Sequence, residues 1–110
     1  MLQDLVRGRQ LVASRVAVVE VVKAVARANP HADPQPMFAL LAFVELDADL
    51  ARIAAATGGP GLRALDAIHV ASALRLGPEI DSFVTYDVRQ ASAAHAAGLR
   101  VSAPGEAALE

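Results

Sequence analysis

Between Ser82 and Ser102 the sequence runs strand, helix, strand, an order that few architectures accept. Ser82 to Tyr86 reads as a short strand that ends directly on Asp87. A helix follows as far as Gly98, a residue suited to the left-handed cap that closes helices. Leu99 to Ser102 reads as a second strand, stopped by Pro104–Gly105. Parallel α/β sheets are built from this repeat. In such sheets chemistry collects beyond the carboxyl ends of the strands, and Asp87 occupies such an end.

The segment before it predicts a helix over Leu62 to Leu76. At about 100° per residue, Leu62, Leu65, Asp66, His69, Ala73 and Leu76 share one face. The other side is apolar too, with Ala67, Ile68, Val70, Ala71 and Leu74. A helix that is apolar nearly all round is normally buried. Asp66 is therefore expected near the interior, where an isolated charge costs several kcal/mol. Two partners answer that cost: Arg63, three residues earlier, or a divalent metal. His69 lies close to Asp66 on the wheel. It reads as a neutral core histidine with a hydrogen-bonded partner, or as a metal ligand or general base.

Length and composition decide what can surround this region. The 110 residues suffice for one compact domain, residues 1–110, and not for two. Hydrophobic residues make up 55% and aromatics only 4%, so the core is aliphatic. Without cysteine there are neither disulfides nor thiolate metal sites. Any metal must then be held by carboxylates or histidine, which suits hard cations such as Mg²⁺ or Mn²⁺. A net charge of −2 is not that of a general nucleic-acid binder. It leaves room for a nuclease whose acids sit at the catalytic centre. The apolar run from Leu11 to Ala28 is interrupted by Arg15, Glu20 and Lys23, so no membrane span is expected and the chain reads as cytoplasmic.

At the amino terminus, Met1 to Arg9 reads as a helix end broken at Gly8. Gln10 to Ala13 reads as a strand, with Ser14 as the N-cap of the next segment. Arg15 to Asn29 is ambiguous: its β-branched content favours a strand, while its length and its terminal Lys23 and Arg27 favour a helix. Helix is the reading adopted. Glu20 in its middle pairs with Lys23 in the plainest account. Pro30 to Pro36 is a loop, and His31 and Asp33 within it are solvated. A short helix over Met37 to Ala42 and a strand over Phe43 to Leu46 precede a helix from Ala48 to Thr57. Asp47 and Asp49 suit the start of that helix. Gly58 to Gly61 is a turn without the lysine of a phosphate loop; an anion at the next helix start is the alternative. His95 is expected at the surface, and Arg89 is a surface arginine that could also contact phosphate.

The segments LRALDAIHVASAL and FVTYDVRQASAAHAAGLRVSAPG resemble the second half of PIN-domain toxins of the VapC type. That family shows an L-D-A-x-H-x-A-x-A-L helix, a strand ending T-x-D, and an A-A-x-x-x-G-L passage from helix to strand. The spacing S-x-x-x-x-x-E-V-x-x-A around Glu20 resembles its second acidic motif. The resemblance implies a metal-dependent ribonuclease with acids at the carboxyl edge of a parallel sheet. It assigns Glu20, Asp66 and Asp87 as catalytic and metal-binding acids, and Thr85 as the accompanying hydroxyl. Mg²⁺ or Mn²⁺ is the implied cofactor. The implied partners are an RNA substrate, a cognate antitoxin and a second copy of the chain. The implied fold is a three-layer α/β/α domain with a short parallel sheet.

PIN domains also begin with a central strand of the form L-D-T-S. No such segment is found here, so the expectation is a sheet without that strand and a cluster short of one acid. A misassigned start, a truncated toxin or a strand from another chain would each account for it. The alternative function is a catalytically impaired remnant that binds an antitoxin or dimerises; an unrelated α/β binding module is the third reading.

Carboxylates about 4 Å apart repel by about 4 kcal/mol per pair at an effective dielectric of 20. Such acids persist together only when protons or a cation neutralise them. The site expectation is therefore also an expectation of a bound cation.

Overall fold

The computed structural model describes residues 11–80, 82–85 and 87–103. The expected helix end at Met1–Arg9, the strand start at Gln10, the strand end at Tyr86 and the stop at Pro104–Gly105 lie outside the described residues. The element order is β1 (Leu11–Ser14), α1 (Val16–Ala28), α2 (Gln35–Phe38), β2 (Leu41–Val44), α3 (Ala48–Ala55), α4 (Ala64–Leu76), a 3-10 turn (Gly77–Glu79), β3 (Phe83–Val84), α5 (Val88–Ala96) and β4 (Val101–Ser102). Strands alternate with helices, and among the described residues both strand pairings are parallel. β1 pairs with β2, Leu11 opposite Leu41 through Ser14 opposite Val44. β3 pairs with β4, Phe83 opposite Val101 and Val84 opposite Ser102. The described strands thus form two parallel pairs rather than one continuous sheet.

α4 is the element both halves of the core share. One cluster joins its Val70 and Ala73 to Phe83, Ala91, Ala94 and Val101. The other joins its Ala67 and Ala71 to Val44, Leu50 and Ala54. A helix clad on two sides has no polar face to offer water, which is why its sequence is apolar all round. The buried stretch also contains Asp66, His69 and Ser72. Ser72 donates to the Ile68 carbonyl at 2.8 Å, so it costs the core nothing unsatisfied. Leu65, expected on the buried face, is instead 47% exposed, because the first turn of α4 lies at the rim.

Several local expectations shift. The ambiguous segment 16–28 is a helix. Ser14 does not cap it: Arg15 holds the cap position, and Ser14 belongs to β1 and accepts from the Val16 N–H at 3.3 Å. α2 begins at Gln35, inside the expected loop, because Asp33 accepts from the Gln35 N–H at 3.0 Å and Pro36 fits a first helical turn. β2 lies two residues before the expected Phe43–Leu46, in register with β1. Asp47 caps α3, accepting from the Leu50 N–H at 2.8 Å. α3 ends at Ala55, and Thr57 then donates to the Ile53 carbonyl at 2.7 Å. Gly98 has φ 93° and follows the last turn of α5, where Leu99 N–H donates to the Ala94 carbonyl. Among the described residues, no helix is long and apolar enough to cross a membrane.

Candidate active site

β3 gives way to Thr85, and the chain then enters α5 through Asp87. Asp87 is the N-cap of that helix. Its Oδ1 accepts from the N–H groups of Arg89 at 2.9 Å and Gln90 at 3.1 Å, two donors that a helix start would otherwise leave without partners. Thr85 is buried, and its Oγ1 accepts from the Asp87 N–H at 3.1 Å. The hydroxyl therefore anchors the backbone N–H of the acid. Asp87 itself stays accessible, with 44% of its side chain exposed.

Asp66 stands in the first turn of α4 and is buried. Its Oδ1 accepts from Gln90 Nε2 at 3.2 Å. Its Oδ2 lies 3.4 Å from Arg63 Nε, close enough for an ion pair but without hydrogen-bond geometry, so this buried oxygen has no hydrogen-bond partner. Arg63 was the nearer of the two partners foreseen for Asp66. The same guanidinium reaches Asp87, with Nη2 3.7 Å from Oδ2. Asp66 and Asp87, 21 positions apart in sequence, are thus drawn to one cation and to one residue of α5.

Glu20 takes a different partner. Its Oε1 lies 2.6 Å from His69 Nε2, across 49 positions of sequence, and Lys23 is not involved. A carboxylate only accepts, so Nε2 carries the proton. His69 Nδ1 is then a buried acceptor with no hydrogen-bond partner. Burial lowers the His69 pKa below its ordinary 6.5, against the hydrogen bond and charge of Glu20 and the charge of Asp66. The neutral core histidine expected from the sequence is present, but it is tied to α1 rather than to Asp66.

The three expected acids therefore fall into a close pair and a neighbour. Asp66 and Asp87 converge on Arg63 and Gln90. Glu20 connects to them through His69, one turn along α4 from Asp66. Among the described residues, no group of three or more histidine or acidic side chains is arranged to hold a metal ion. The pair alone suits a hard cation: its donors are oxygens, one of them is buried without a hydrogen bond, and an organic cation already stands against both. Gln90 was not foreseen. Asp87-x-x-Gln90 has the spacing of a capping box, and that was the available signal.

A shallow groove of about 470 Å³ lies between the turn at Gly58–Leu62 and the face of α5 that carries Val88, Arg89 and Ser92. Arg89 is exposed on its wall. Gly58 shapes the turn: its φ is 70°, and a Cβ there would stand 2.6 Å from Leu62 Cδ2.

Acids gathered on one guanidinium at the carboxyl edge of parallel strands define a candidate acidic active site in an α/β protein. Among curated proteins, the chain is 39% identical over 100 residues to Ribonuclease VapC35 of Mycobacterium tuberculosis, spanning 87% of this chain and 74% of that relative. It is 32% identical over 102 residues to Ribonuclease VapC47 of the same organism, spanning 90% and 75%. A 43-residue stretch is 51% identical to Ribonuclease VapC46, 39% of this chain and 33% of the relative. No family model and no solved structure matches the chain. The chain belongs to the VapC-type PIN-domain toxin family.

Proposed function

We propose that this chain is an endoribonuclease, the toxin of a toxin–antitoxin pair, that cleaves RNA phosphodiesters with Mg²⁺ or Mn²⁺ at the edge formed by Asp66 and Asp87. The observation that carries the reading is the convergence of these two carboxylates on Arg63 at the end of β3. The names of the relatives support the substrate class.

Asp66 and Asp87 would hold the divalent ion through the oxygens that now face Arg63, with Glu20 as a third acid once its side chain turns from His69. When bound, the ion supplies Lewis-acid polarisation of the phosphoryl group and an acidified water. Thr85 holds Asp87 in place by accepting from its N–H. Glu20 is partly exposed, which leaves its side chain room for that turn away from His69. Arg63, displaced from the acids, offers its guanidinium to the phosphate, as arginine forks do. Arg89 lines the groove along which the strand would lie. The partners of this reading are RNA, a cognate antitoxin and a second copy of the chain. Exposed Val19 and Leu40, at 61% and 70%, are apolar surface that a protein partner would cover.

The test is cleavage of a mixed RNA pool by the purified chain with Mg²⁺ and with chelator. Cleavage is expected only with the metal, and Asp66→Ala and Asp87→Ala are each expected to lower it at least about 100-fold. Cleavage indifferent to both substitutions would remove the assignment.

A further inference from the structure

We propose that Gln90 is a positioning residue for the acid pair: it fixes one oxygen of each carboxylate and so leaves the other oxygen of each facing the cation position. The proposal rests on the metal-site reading of Asp66 and Asp87 and adds a residue that neither the acidic motifs nor the names of the relatives indicate.

The geometry is specific. Gln90 is buried, with 6% of its surface exposed. Its backbone N–H donates to Asp87 Oδ1 at 3.1 Å, and its side-chain Nε2 donates to Asp66 Oδ1 at 3.2 Å. One residue thus holds both acids, each by its own Oδ1. The two Oδ2 atoms are the ones within ion-pair reach of Arg63, at 3.4 and 3.7 Å. Each carboxylate is divided into an oxygen used by the protein and an oxygen turned to a cation.

Its freedom to do this has a local cause. Gln90 holds the third helical position after the cap Asp87, where a glutamine ordinarily reaches back to the cap residue's own N–H. Here Thr85 Oγ1 already accepts from that N–H at 3.1 Å. The Gln90 side chain is released from the cap and crosses to α4. Residues that orient metal ligands through hydrogen bonds typically change metal affinity by 10- to 100-fold when removed. The two bonds also differ in kind. Substitution of the side chain removes only the bond to Asp66, while the backbone bond to Asp87 survives.

Calorimetric titration of the 110-residue chain with MnCl₂ tests this, with folding checked by circular dichroism. Gln90→Leu and Gln90→Met keep the volume and lack the donor; Met, unbranched, is the second variant should Leu not fold. Both are expected to bind Mn²⁺ about tenfold more weakly than the parent. In an Asp66→Ala background, Gln90→Leu is expected to change the affinity no further. A loss of equal size with and without the Asp66 carboxylate would mean general loosening and would overturn the proposal. Binding by Gln90→Leu equal to the parent, while Asp66→Ala binds weakly, would also overturn it and leave the acid pair standing. A parent chain that binds no better than Asp66→Ala would bring down the metal-site reading and this role with it.

Discussion

Asp47 shows how a single side chain can be read from sequence and still hold a surprise. Its place at the start of α3 was legible, because an aspartate before an apolar run has a backbone donor to satisfy. Its second partner was not, since Arg75 lies 28 positions away and binds it with two nitrogens at 2.9 and 3.0 Å. The Arg75 hydrogen bond, then the Leu50 N–H, hold the Asp47 carboxyl at about 2, below its ordinary 3.8. A carboxylate so lowered adds stability above 3.8 that is lost as pH falls from 3.8 toward about 2. Urea midpoints measured across that window should therefore vary less with pH in Asp47→Asn than in the parent. Glu20 and His69 obey the same logic. Each was recognised as a residue of interest, but nothing local to either could name the other. Gly58→Ala belongs here as well. The left-handed φ and the close approach to Leu62 should make it destabilising by about 1 kcal/mol or more, read from urea unfolding.

Among the elements, α4 was the most legible and α2 and β2 the least. Apolar residues on every side of segment 64–76 require neighbours on every side, and the structure supplies α3 with β2 on one flank and β3, β4 and α5 on the other. α1 could be argued either way: its valines favoured a strand, and its length with Lys23 and Arg27 near its end favoured the helix. The placement of β2 was missed by two residues because register with β1, not local propensity, sets where that strand lies. The α3–α4 contact is close because Ala54, Ala67 and Ala71 are small, and Leu50, fully buried, fills it. Leu50→Ala should cost about 3 kcal/mol, through lost transfer energy and the cavity left behind. Ala71→Leu should cost about 1–3 kcal/mol by overpacking the same contact. Equilibrium urea unfolding measures both.

For the molecule as a whole, the parallel α/β class, the family and the carboxyl-edge location of Asp87 could be read from motif order. The division of its described strands into two pairs, and the organisation of the acids around Arg63 and Gln90, could not, because both depend on contacts between distant segments. A molecule with net charge −2 has little long-range attraction for RNA, so binding should depend on a few local cations. If Arg63 and Arg89 neutralise two phosphates, RNA affinity of a silent Asp87→Asn variant should fall with salt at a logarithmic slope of about −1.5. Electrophoretic titration over a range of salt concentrations gives that slope, and a much steeper one would locate binding elsewhere. The central claim is that acids from α1, α4 and the start of α5 serve one divalent ion. Its most direct test is paramagnetic broadening of backbone amide resonances by substoichiometric Mn²⁺. Selective loss of the signals of Glu20, Asp66, Asp87 and Gln90 is the expected result. Broadening centred away from these residues, or spread evenly over the chain, would contradict it.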